Sequence, residues 1–158
     1  DSLNDGDILL YLDAGCEVDI TKKSQMNLFF DLVKIDLIIG GQTCIEKEWT
    51  KMDLLLYLDM NKSDYLNSPQ RCGGCNMFYI NSKIRKLINE WYDISCNYKM
   101  IDDSPSVKKN LECFREHRHD QSIFSLLTKK YNIFSKKSIR NNNGLIRTIR
   151  NKSKISKL

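Results

Sequence analysis

The sequence predicts an α/β domain, and three observations carry that prediction. Short apolar runs bounded by turn residues mark buried strands. Between them lie segments whose apolar residues recur every three or four positions, as on the buried face of a helix, and this alternation is the pattern of an α/β fold. At 158 residues the chain is long enough for one domain that buries about two-thirds of its unfolded surface.

Residues 7–12 (DILLYL) follow the turn signal Asn4-Asp5-Gly6 and run into Asp13-Ala14-Gly15, as a buried strand ending at a polar loop does. A helix is expected over 22–36, with Met26, Phe29, Phe30 and Val33 on its apolar face and Thr21 as N-cap. Residues 37–39, before Gly40-Gly41, read as a second strand. The stretch 49–58 reads as a helix, with Thr50 as N-cap and Asp53 in the first turn, where an acid favours the helix dipole. Residues 67–69 are expected to form a loop, and Cys72-Gly73-Gly74-Cys75 a tight turn before a core strand at 77–80.

The helix expected over 83–91 places Ile84, Leu87, Ile88 and Trp91 on one side. Residues 102–110, with Pro105, are polar and read as loop. From Asp120 the spacing of Ile123, Leu126, Leu127 and Tyr131 predicts a last helix, with Lys129 and Lys130 at its C-terminal end. Past Phe134 the sequence turns rich in Asn, Lys and Ser, so the domain is drawn as 1–135 and residues 136–158 as a basic, partly disordered tail.

The net charge of +5 is unevenly spread: residues 129–158 hold ten Lys/Arg and no acid, which leaves 1–128 net acidic. Such a tail either attracts polyanions through screened electrostatics or is simply a solvated terminus. Nucleic-acid binding ranks last, because it calls for basic and aromatic residues interleaved on the folded part as well. No apolar run approaches the roughly 20 residues of a membrane-spanning helix. The chain opens on Asp1 with no secretory leader in view, and its N-terminus reads as cut. Six scattered cysteines lack the dense spacing of a disulfide scaffold and read as reduced thiols of a cytoplasmic compartment.

Three constellations bear on chemistry. Asp13, at the C-terminal end of the first strand, suits a divalent cation, which hard carboxylate oxygens hold, or it caps the following turn. Residues 116–122 (EHRHDQS) crowd both histidines of the chain, two carboxylates, a guanidinium and an amide before a helix; they are metal-ligand and proton-transfer types, or a charged surface loop with Asp120 as cap. Cys72-x-x-Cys75 is half of a zinc spacing with no second half at a fitting distance.

Taken in order, these segments resemble the GT-A-type nucleotide-sugar glycosyltransferases over residues 1–132. The opening DGDILLYLDAGCEV resembles the family's strand and DxD-type metal motif, which reads here Asp13-Ala14-Gly15, with one carboxylate where the family has two. Glu48-Trp49-Thr50-Lys51 resembles a segment near the acceptor side. Gln70–Ser82 (QRCGGCNMFYINS) is similar to the glycine-containing turn and strand beneath donor and acceptor sugars, and residues 119–124 (HDQSIF) to a helix start that faces the sugar.

The resemblance implies a partial GT-A-like, Rossmann-like mixed sheet flanked by helices, the C-terminal part of an enzyme whose nucleotide-binding region lies upstream. It implies transfer of a hexose from a nucleoside diphosphate sugar to a hydroxyl of a glycan or protein acceptor, assisted by Mn²⁺ or Mg²⁺. Asp13 would bind the metal and the diphosphate, and His119 or His117 would add a ligand. Gly73 and Gly74 would admit the sugar close to the backbone, and Asp120, with Gln121 beside it, would orient the sugar or act as base. A noncatalytic glycan- or partner-binding domain of the same fold is the alternative. A sheet edge left open would favour a homo- or hetero-oligomer.

Overall fold

Strand β1 (Ile8–Leu12) leads through Asp13 into β2 (Cys16–Val18), a 3₁₀ turn at Ile20–Lys22 and helix α1 (Lys23–Asp36). Then come β3 (Ile38–Ile45), the short helices α2 (Glu46–Trp49), α3 (Met52–Tyr57) and α4 (Ser63–Leu66), and β4 (Pro69–Tyr79). Helices α5 (Ser82–Ser95), α6 (Tyr98–Ile101) and α7 (His119–Lys130) follow, and β5 (Ile146–Thr148) closes the order. The structure, a computed structural model, describes residues 2–133, 135, 137–139 and 144–148.

The fold is mixed α/β, as the alternation predicts, but its sheets are small and antiparallel. The eleven-residue β4 is the middle strand of a three-stranded sheet in the order β1-β4-β3. It pairs Leu10 with Met77 and Leu12 with Cys75 on one side, and Ile38 with Phe78 and Gly40 with Asn76 on the other. Strands β2 and β5 form a separate antiparallel pair.

Both faces of the central sheet are covered, which is why β1 and the paired stretches 38–39 and 77–79 read as apolar runs. Ile38, Phe78 and Leu9 pack with α3, α5 and α7, whereas Ile39, Met77, Ile8 and Leu10 pack with Val33 of α1 and with Ile139, Leu145 and Ile146. On the first face Phe124 stacks on Trp91 at 4.6 Å between ring centres and meets Phe78 at 5.9 Å. Asn81 caps α5, its side chain accepting the Ile84 N–H at 2.9 Å.

Four expectations are corrected. Leu37 is the left-handed cap of α1 (φ 63°), its N–H returned to the Val33 carbonyl, so the strand starts one residue later and runs through Gly40-Gly41. A Cβ on Gly40 would overlap Asn76 Oδ1, so only glycine lets β3 lie against β4 there. The helix expected over 49–58 is broken by extended backbone at Thr50 and Lys51 (ψ 122° and 150°), and Thr50 caps nothing: its hydroxyl turns back to Glu46.

Cys72-Gly73-Gly74-Cys75 is the middle of β4 rather than a turn. Within the segment 136–158 read as tail, Ile139, Leu145 and Ile146 are buried and residues 146–148 pair with β2; there the chain is part of the fold, because α1 and β1 leave an apolar face that those residues cover. Residues 136, 140–143 and 149–158 of that segment lie outside the described residues.

Ile146→Ala should therefore destabilise the whole domain by about 2–4 kcal/mol, the usual cost of emptying a buried aliphatic site. Urea unfolding read by fluorescence checks it, and a transition unchanged from the parent would detach this segment from the core.

Candidate functional site

A polar cleft of about 380 Å³ opens where the end of β1, the middle of β4 and the start of α7 meet, lined by Asp13, Gly15, Cys16, Thr43, Cys44, Cys72, Gly74, Cys75, Arg118 and Gln121. Asp13 is tied down on both sides: its N–H donates to the Gly74 carbonyl at 2.8 Å, and its carbonyl accepts the Cys16 N–H at 2.9 Å. The Tyr11 hydroxyl donates to Oδ1 at 3.2 Å. Burial, and then the Asp13 carboxylate, raise the Tyr11 pKa above the usual phenol value, so it stays a donor; Asp120 is near enough to add to the effect. A Cβ on Gly74 would overlap Asp13 Oδ2, so the bare glycine gives the carboxylate its place.

Gln121 meets Gly73 across the cleft floor, accepting its N–H at 3.0 Å, and donates through Nε2 to Gln70 Oε1 at 2.6 Å. Gln70 is fully buried and donates in turn to Glu46, Thr50 and Ser122. Glu46, also without solvent contact, is the centre of this cluster. It accepts from Thr50 at 2.7 Å, from the Ser125 hydroxyl, and from the Lys129 ammonium at 2.6 Å. Burial draws the Lys129 pKa below the usual lysine value, while Glu46 opposes the shift.

Among the described residues lining the cleft, Arg118 is the cation. Its guanidinium lies over the Trp49 ring at 4.1 Å, a cation–π contact. Its N–H donates to the Trp49 carbonyl at 3.1 Å, which pins the loop before α7 to the end of α2.

The expected residues divide. Asp13, Gly74 and Gln121 line one cleft, and Gly73 touches Gln121 beside it. Asp120 is exposed, its carbonyl accepting the Trp91 indole N–H at 3.0 Å. His119, at φ 49°, pairs with Asp103 at 2.8 Å. His117 is 4% exposed; its Nε2–H donates to the Met100 carbonyl at 2.8 Å and its Nδ1 accepts the Lys51 N–H at 3.3 Å. With both nitrogens engaged and burial pulling its pKa down to about 4, His117 is a neutral structural imidazole and not the added ligand that the sequence suggested.

Among the described residues no three His, Cys, Asp or Glu side chains converge where a metal ion could be held. Among the described residues Asp13 is the lone carboxylate of the cleft lining, and these described residues do not fit a protein-held divalent cation. No family model, curated protein or solved structure matches the chain.

Sequence reasoning missed Arg118's stacking, Glu46 and Gln70. The signal for the last two lay in α7, where Ser122, Ser125 and Lys129 interrupt the apolar stripe at spacings of three and four; polar groups at helical spacing on a buried face need buried partners.

His117 makes stability depend on pH. Its imidazole, held to about 4 in the fold and about 6.5 when unfolded, is neutral in both states above pH 7. As pH falls from 6.5 to 4 only the unfolded chain takes up the proton, so the native state loses about 3 kcal/mol through that window. Urea unfolding at several pH values should show the loss, and His117→Gln should flatten it; an unchanged slope would contradict the assignment.

Proposed function

We propose that the cleft is the glycosyl-binding part of a GT-A-type glycosyltransferase domain that transfers a hexose from a nucleoside diphosphate sugar to an acceptor hydroxyl. The observation that carries the reading is the meeting, in one cleft of about 380 Å³, of the Asp13 carboxylate, the Arg118 guanidinium and the Gln121 amide beside the side-chain-free Gly74. That volume lies in the ordinary range for small-molecule sites, about 300–1,000 Å³.

Each group suits one part of such a ligand. A carboxylate accepts from sugar hydroxyls, and a guanidinium pairs with phosphate oxygens in a charge-assisted contact. Its positive charge would also stabilise a departing diphosphate, and its stacking on Trp49 fixes it in advance, so little reorganisation is needed as charge develops. Gly74, by lacking a side chain, leaves the Asp13 carboxylate its place in the cleft. No step is assigned to a divalent cation, because the described ligand set does not gather one.

That same lack of convergence favours a second reading, a noncatalytic domain that binds a glycan without transferring it. Binding and turnover separate the two readings.

Titration calorimetry with UDP- and GDP-hexoses, with and without Mn²⁺, should detect binding by the parent chain. Asp13→Ala and Gly74→Ala should each weaken it at least tenfold, the first by removing the acceptor and the second by displacing it. Absence of binding to every sugar nucleotide would overturn the proposal. Release of nucleoside diphosphate in the presence of an acceptor would select the transferase, and binding without release the noncatalytic domain.

A further inference from the structure

The side-chain amides of Gln70 and Gln121 each have an oxygen that only accepts and a nitrogen that only donates, so the way they face decides what a ligand meets at the cleft wall. Their direction is imposed from outside. At the buried end the Glu46 carboxylate, ion-paired with Lys129, can only accept, so the nitrogen of Gln70 faces Oε2 at 3.1 Å. The two neighbouring hydroxyls agree. Thr50 spends its proton on Glu46 and Ser122 spends its own on the Trp49 carbonyl, leaving lone pairs toward Gln70 Nε2 at 3.2 Å each.

At the cleft end the Gly73 N–H can only donate, so the oxygen of Gln121 faces it at 3.0 Å. The two amides join in the one sense that satisfies both ends, Gln121 Nε2 to Gln70 Oε1 at 2.6 Å. Turning Gln70 over would set oxygen against the Glu46 carboxylate. Turning Gln121 over would set N–H against N–H at Gly73. Either reversal leaves buried polar groups unpaired, each at a penalty of about 1–3 kcal/mol.

We infer that Glu46 and Gln70 are positioning residues that fix Gln121 as a hydrogen-bond donor to the cleft. One N–H of Nε2 is spent on Gln70; the other has no partner among the described residues, and Gln121 lines the cleft. Donors therefore stand at Gln121 and Arg118, and the carboxylate acceptor at Asp13. The ligand that this polarity selects presents acceptor-only oxygens, of the phosphate or glycosidic kind, to the α7 side and a hydroxyl to Asp13. A glycosyl phosphate meets both demands, and this choice of ligand rests on the function proposed above.

Couplings across hydrogen bonds, measured by NMR on the ¹³C,¹⁵N-labelled chain without ligand, test the polarity by itself. The expected pattern couples Gln121 Nε2 to the Gln70 side-chain carbonyl carbon, and the Gly73 amide nitrogen to that of Gln121. A coupling of opposite sense, or none between the two glutamines, overturns the inference.

The second arm titrates UDP-hexoses against Gln121→Met, which removes the donor, and Gln121→Glu, which replaces it with an acceptor. The methionine variant should bind at least tenfold more weakly than the parent and the glutamate variant more weakly still, whereas equal affinity of the parent and the methionine variant overturns the donor role. Should the parent chain bind no sugar nucleotide, the functional proposal fails while the couplings still decide the polarity.

Discussion

A carboxylate buried without water is tolerable only when surrounded by donors, and Glu46 has them from three separate parts of the chain. Thr50 follows α2, Gln70 belongs to β4, and Ser125 and Lys129 to α7. Satisfying the charge thus requires helix and strand to be docked in one relative position. The apolar contacts of α7 with Phe78 and Trp91 supply most of the burial but little direction, since hydrophobic contact is non-directional. The polar cluster supplies the direction, and it sets the first turn of α7 over the glycines of β4.

A second buried polar centre holds the loop that brings Arg118 to the cleft. Lys51, almost without solvent contact, pairs with Asp102 at 2.7 Å, and its N–H is accepted by His117. Asn110 accepts the Met52 N–H at 2.7 Å, and Asp53 accepts the N–H of Val107. Residues 102–118 are thereby laced to the junction of α2 and α3, and the break in that helical stretch, at Thr50 and Lys51, is what turns the Lys51 N–H toward His117 instead of into a helix. Structure that looks like a failed helix is thus the anchorage of one wall of the cleft.

The cleft's composition follows from this arrangement. β4 contributes its least bulky stretch, Gly73-Gly74, in mid-strand, where a side chain would displace Asp13 or press on Gln121. Interior glycines weaken a strand by forgoing cross-strand packing, and here that loss coincides with close approach by two polar side chains. Neither histidine belongs to the cleft lining, although both stand within four residues of Gln121 in sequence.

By itself the sequence determined β1, the apolar ends of β3 and β4, the helices α1, α5 and α7, and the order of these, because burial imposes a period of two or of about 3.6 that survives in one dimension. It also drew attention to Asp13, Gly74 and Gln121, residue types whose chemistry stands out against their neighbours. It left open that β4 runs antiparallel to both neighbours, since the apolar stretch 77–79 looks the same whichever way its partners run. Tertiary structure alone decided that Cys72–Cys75 is strand and not turn, that residues 146–148 belong to the fold, and that His117 is structural while Arg118 lines the cleft. Each of those outcomes depends on a partner tens of residues away, and local propensity holds no record of distant partners.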